Sequence, residues 1–172
     1  MATAVTMATM LNAQPTMKML KPLIGAVLLL TLLTACEHKP VAFQYQSTSV
    51  EGWELGDTLH FHIDSLKEAG NYQLSIGIRT SAATPYPYKS IWLVLGQHWH
   101  NPERFSRDTV ECQLTNEEGE QNGYGVSLHQ YDINWKQLQL PEKASADITV
   151  NHIMRLEIVQ GIANVGIKLV HN

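Results

Sequence analysis

Two cysteines in 172 residues, Cys36 and Cys112, are too few for a disulfide framework. The main apolar run, Leu23 to Leu33, falls well short of the roughly 20 residues that span a bilayer as a helix. Basic residues are also scarce, 12 Lys and Arg against 16 Asp and Glu, which disfavours nucleic acid and an electrostatic hold on anionic lipid. No glycine-rich phosphate loop is present, and Ser75, Ser127 and Ser145 lack the context of a nucleophile elbow. With no nucleophile-and-base arrangement and no internal repeat, the sequence gives no reason to expect catalysis or an organic cofactor.

What is present begins at the N-terminus. Lys18 and Lys21 precede the apolar run, and Leu33-Thr34-Ala35-Cys36 closes it. A basic, then apolar, then small-residue segment is a secretory leader. Ending on a cysteine, it has the form of a lipoprotein leader, in which small side chains fit the peptidase groove and the thiol of Cys36 accepts the lipid. Residues 1–35 are therefore expected to be removed, 1–16 being an upstream extension ahead of Met17. Cys36 then carries several acyl chains such as palmitate, and several chains anchor durably where one holds marginally. Glu37, rather than Asp, after the cysteine favours the outer membrane. The expected mature chain has 137 residues; with Lys18 and Lys21 gone, 10 basic residues face 16 acidic ones, a net charge of −6. One domain of this size can bury a sizeable core.

Residues 36–49 are polar and weakly periodic, which predicts a lipidated N-terminus and tether ahead of a domain at 50–172. From there the dominant period is two, as in Thr58-Leu59-His60-Phe61-His62-Ile63, Tyr72 to Ile78 and Gly125 to His129. Ile91 to Leu95 reads as a central strand covered on both faces, with Trp92 filling the core. Ile162 to Val170 reads as a final strand. Asn151 to Gln160 also reads as strand, although Ile153, Met154 and Glu157 would equally align on a short helix. Turn residues separate the runs at Glu68-Ala69-Gly70-Asn71, Thr84-Pro85-Tyr86-Pro87, His100-Asn101-Pro102, Asn116-Glu117-Glu118-Gly119 and Pro141. Short strands at close spacing predict an all-β chain, a single antiparallel β-sandwich of jelly-roll type.

Within that pattern Cys112 shares a face with Val110 and Leu114 and reads as a small buried hydrophobe. His60/His62 and His98/His100 each set two imidazoles on one strand face, a pattern that binds zinc or copper when two such pairs meet. Their default reading is solvent-facing residues opposite Leu59, Phe61 and Ile63, so no metal is expected. Tyr86, Tyr88, Trp92 and Trp99 are candidates for an aromatic platform for a sugar ring or a partner peptide. The plainer expectation is that Trp92 is core and that Tyr86-Pro87-Tyr88 packs over a sheet edge.

Taken in order, several pieces resemble the gliding-motility lipoproteins of the GldH type from Bacteroidetes. They are Trp53, Phe61 and Asp64; Tyr72 to Arg79; Tyr86-Pro87-Tyr88 and Ile91-Trp92-Leu93; Asp108-Thr109 and Leu114; Gly119 ahead of Gly123-Tyr124-Gly125; and Met154-Arg155 with Gly161 to Ile167. Lys89-Ser90 and Gln121-Asn122 depart from the family's usual residues. The resemblance implies a non-catalytic outer-membrane lipoprotein that supports gliding, the type IX secretion apparatus or envelope assembly, with other lipoproteins of that machinery as partners. A surface glycan-binding module is the alternative. The shared pattern also holds Arg79 and Arg155, expected to sit on neighbouring strands and pair with carboxylates such as Asp64 or Asp108, or else to contact a partner. Asp57-Thr58-Leu59, Asp64-Ser65-Leu66 and Asp108-Thr109-Val110 resemble the O-glycosylation acceptors of exported Bacteroidetes proteins, which makes Thr58, Ser65 and Thr109 candidates.

Overall fold

In a computed structural model, residues 39–172 apart from Asn122 are described; Cys36 and the leader lie outside them. Ten antiparallel strands build the domain: β1 (Ala42–Ser47), β2 (Trp53–Glu54), β3 (Leu59–Ile63), β4 (Gly70–Ser81), β5 (Ser90–His100), β6 (Arg104–Gln113), β7 (Leu128–Leu140), β8 (Ser145–His152), β9 (Ile158–Val159) and β10 (Ile162–His171). One four-stranded sheet has the order β1-β10-β4-β7, the other β3-β8-β5-β6, and β2 pairs with β9. Leaving out the two-residue strands, the eight long strands run 1-8-3-6 and 2-7-4-5 along the two sheets. This is the jelly roll the strand spacing predicts.

Alternation explains the packing. In β4 the side chains of Tyr72, Leu74, Ile76 and Ile78 point inward, while β10 adds Val165, Ile167 and Leu169. The opposite sheet contributes Phe61 and Ile63, Ile91, Leu93 and Leu95, and Ile148 and Val150. Each such side chain, fully buried, stabilises the fold by about 1.5–3 kcal/mol relative to exposure. Cys112 is wholly buried beside this core. Desolvation pushes its thiol up to about 12. One polar chain reaches the interior: the Trp99 indole donates to Gln97 Oε1 (3.1 Å), the Gln97 amide to Asp108 Oδ2 (3.0 Å), and Lys136 Nζ pairs with the same oxygen at 3.1 Å.

The boundaries differ from expectation in three places. Residues 42–47, expected as tether, form an edge strand, so the fold begins before residue 50. Strand β1 carries little apolar alternation because hydrogen bonds hold it. Gln44 Nε2 donates to the His62 carbonyl at 2.6 Å, and the Gln46 side-chain amide both donates to the His60 carbonyl and accepts from the His60 N–H. The Gln46 amide thereby imitates a rung of the backbone ladder, joining the edge of one sheet to the edge of the other. Asn151 to Gln160 is not a continuous strand. Strand β8 stops at His152, and Ile153 to Glu157 is a loop whose exposed apolar side chains misled the periodicity. Gly125 to Ser127 precede β7 rather than opening it.

Candidate functional site

The outer face of the β1-β10-β4-β7 sheet covers itself. Tyr45 reaches out from β1 and lies across Gly166 and Gly77, which oppose each other in β10 and β4; a Cβ on either glycine would collide with the Tyr45 ring. The Arg79 guanidinium sits 3.8 Å from the ring centroid, and its Nε donates to Gln130 Oε1 at 3.0 Å. Burial pushes the Tyr45 hydroxyl up to about 12. Gln130, Tyr124 and Asp132 complete the lattice, with Tyr124 donating to Asp132 at 2.6 Å. Arg79 therefore stacks on an aromatic ring and does not pair with Asp64 or Asp108. Asp64 is exposed beside His62, and Asp108 is taken by Gln97 and Lys136. The sequence hid this arrangement because Tyr45 and Arg79 come from strands that do not pair, β10 lying between them.

The outer face of the β3-β8-β5-β6 sheet is open. At one register its four strands present His62, Asp147, His98 and Phe105 side by side. His62 Nδ1–H donates to Asp147 Oδ1 at 2.7 Å, and His100 Nε2–H to Asp147 Oδ2 at 2.9 Å. These two bonds hold the Asp147 carboxyl below its ordinary range and raise His62. His98 faces Glu103 Oε1 at 3.3 Å and stacks on the exposed Phe105 ring, centroids 3.9 Å apart. The next register puts Gly96 between Thr149 and Arg107, with the Thr149 hydroxyl over the glycine, and an open hollow of about 580 Å³ lies beside His98, Phe105 and Asp147. The imidazoles face solvent as expected, but three of the four converge while His60 stays apart. Asp147 went unrecognised in the sequence, where its outward position in the Ser145 to Val150 alternation was the one available signal.

The aromatic candidates separate into two groups. Tyr86 and Trp99 are buried, Tyr86 donating to the Ser90 carbonyl at 2.9 Å. Trp92, expected in the core, is 42% exposed, against 2% for Trp99 on the same strand. In β5 the odd-numbered side chains point inward, so Trp92 interrupts an apolar run that reads as two-sided. It joins Tyr88, Ile153, Met154, Arg155 and Leu156 around an open depression of about 560 Å³. The Trp92 N–H donates to the Met154 sulfur at 3.4 Å, and the Ile153 N–H to the Trp92 carbonyl at 3.0 Å, fixing the loop after β8 against β5. Arg155 lies in that loop, not in a strand beside Arg79, and makes no ion pair among the described residues. Gly161, at φ 86°, abuts the Tyr86 backbone too closely for a side chain and holds the Tyr86-Pro87-Tyr88 segment in place. Thr58, Ser65 and Thr109 are all exposed.

Among solved structures, the chain is similar to a family GH115 4-O-methyl-alpha-glucuronidase, BtGH115A (15% identity, 80% of this chain but 18% of that one, TM-score 0.42). It is also similar to GEBA250068378 from Sulfurospirillum deleyianum (10% identity, 76% and 98% covered, TM-score 0.46). A family 35 carbohydrate binding module from Clostridium thermocellum aligns at 10% identity over 79% and 98%, TM-score 0.38. Likeness this distant carries nothing about ligand or activity. No curated protein matches. The model of the GldH lipoprotein family matches residues 40–169, from the start of β1 nearly to the end of β10 and including both outer faces. The chain therefore belongs to the GldH lipoprotein family, the gliding-motility-associated lipoproteins.

Proposed function

We propose that this lipoprotein is a non-catalytic docking component of the gliding and type IX secretion machinery, held at the outer membrane through lipid on Cys36. The observation that carries the reading is the surface formed by Tyr88, Trp92, Met154, Arg155 and Leu156. Single exposed apolar residues are ordinary, whereas a contiguous group marks an interaction surface. Trp, Tyr and Arg are the side chains most often found at the energetic centre of protein interfaces, and Met adapts its shape to a partner. Family membership supplies the setting, in which the partner is another protein of the gliding or secretion apparatus. Glycan binding by the four aromatics is disfavoured, since Tyr86 and Trp99 are buried.

Deleting the gene should deplete type IX cargo from the secreted fraction, measured by quantitative proteomics. The Trp92→Ala, Arg155→Glu double variant should fail to restore it while accumulating at the wild-type level. Normal secretion by the deletion strain, or a glycan-array signal lost on Trp92→Ala, would reject the docking role. Cys36→Ala should abolish palmitate labelling and membrane fractionation, and continued acylation of that variant would remove the anchor from the proposal. Exposed Thr58, Ser65 and Thr109 are proposed glycan acceptors, tested by mass spectrometry of the protein from its native envelope.

A further inference from the structure

Residues i and i+2 of a strand stand about 6.7 Å apart, and their side chains normally keep that spacing. His98 and His100 do not: their ring centroids are 4.1 Å apart. They meet Asp147, whose Oδ2 is 2.9 Å from His100 Nε2. One donor atom from each of His98, His100 and Asp147 lies within 4.8 Å of the other two. Ligands of a tetrahedral zinc ion are roughly 3.3 Å apart at zinc–nitrogen distances of 2.0–2.1 Å. The three side chains therefore need only small rotations, without backbone movement, to close on one ion. The carboxylate is also held as a ligating carboxylate is usually held: His62 donates to its other oxygen, Oδ1, at 2.7 Å, leaving Oδ2 on the His100 side. Two further carboxylates, Glu103 at 3.3 Å from His98 and Asp64 at 3.8 Å from His62, make the surroundings favourable to a cation.

We propose that His98, His100 and Asp147 form a binding site for a divalent transition metal ion of the zinc or copper class, with His62 as a positioning residue that orients the carboxylate. Two imidazoles and a carboxylate suit these ions, whereas calcium and magnesium prefer all-oxygen sites. The ion takes the place of the hydrogen bond between His100 and Asp147, the Nε2 proton moving to Nδ1 of the same ring or to solvent. Three protein ligands leave a coordination position for a donor from outside the protein, as in open rather than closed zinc sites. The site clamps β5 to β8 at the end of the sheet away from Trp92.

The test uses the full-length protein, purified in detergent without a histidine tag and freed of metal with chelator, then titrated with Co²⁺, Zn²⁺ or Cu²⁺. The expected result is one ion per chain, with Co²⁺ giving the intense visible absorption of a four-coordinate site and Zn²⁺ displacing it. His100→Ala and Asp147→Ala should abolish the signal. His62→Phe should weaken binding by about 10–100-fold, the usual cost of losing a residue that orients a ligand. His60→Ala, on the same face but outside the cluster, should leave it unchanged. These positions are on the surface, and unaltered circular dichroism verifies that the variants fold. Absence of stoichiometric binding, retained binding in His100→Ala or Asp147→Ala, or equal loss in His60→Ala would overturn the proposal.

Discussion

The two outer faces of the sandwich have the same strand geometry and opposite fates. On the β1-β10-β4-β7 face, paired glycines let Tyr45 lie flat, Arg79 stacks on it and Gln130 holds Arg79, so the polar groups are occupied by one another. On the β3-β8-β5-β6 face, Gly96 is covered by the small Thr149 hydroxyl and not by a ring, so the surface stays hollow there, while His98, Phe105 and Trp92 remain accessible. Glycine on an outer face thus marks either an internal lid or a space for something else, and the neighbouring aromatic decides which. The residues that carried the resemblance divide the same way: Arg79 belongs to the closed face, Trp92 and Arg155 to the open one.

The sharpest way to break this contrast is within a single strand. Trp99→Ala should cost about 3–5 kcal/mol in urea denaturation, as expected for deletion of a buried aromatic. Trp92→Ala should stay within about 1 kcal/mol; a large loss there would mean that the open face is structural after all. Next in size, Gly166→Ala should destabilise by about 1–3 kcal/mol through overpacking against Tyr45 and the Gln44 carbonyl, with β1 amides losing hydrogen-exchange protection first. Arg79→Ala should cost about 1–2 kcal/mol by removing the ring contact and the Gln130 bond. If it leaves the melting curve unchanged, the closed face is not held as described.

A pH effect follows from the interior. His152 is buried edge-on to Trp53, its Nε2–H donating to the Trp53 carbonyl at 3.1 Å, and desolvation lowers its pKa from the ordinary 6.5. Asp57, the charged group acting on it, pulls the other way and does not offset burial. Because the folded pKa lies below the unfolded one, the unfolded chain takes up the proton first. The His152 contribution to stability should be complete above pH 6.5 and fall as pH drops from there toward the folded pKa, while His62, raised by Asp147, acts in the opposite sense. In a His62→Phe background, a melting temperature that rises on acidification through that window would contradict the buried neutral form. The smallest effect expected is at Cys112: with its thiol raised to about 12, it should react with a thiol reagent only on unfolding.

Where one face of a strand meets the core and the other meets water, the sequence is legible, as in His60-Phe61-His62 and Tyr72 to Ile78. It fails where side chains act sideways. Strand β1 pairs with β10 through its backbone while Gln44 and Gln46 bond across an edge to β3, and neither signal has a period. Trp92 reads as core because four apolar neighbours surround it in sequence, although alternation along β5 turns it outward. The histidine cluster needed the third dimension: His62 and Asp147 are 85 residues apart, His100 and Asp147 are 47, and nothing local announces their meeting.

Strand β1 starting at Ala42, rather than a tether ending near residue 49, limits how the domain stands on a membrane. With lipid on Cys36, five residues lead to Val41, and an extended chain covers at most about 18 Å in that length. Val41 shares its end of the sandwich with Asp64, Ser65 and Tyr72, and His62 and His100 lie toward that end. Along β5, Trp92 is eight residues from His100, about 26 Å at the usual rise per residue. If Cys36 carries the lipid as proposed, a link this short would act as a pivot more than a leash, keeping the histidine end within that reach of the bilayer surface.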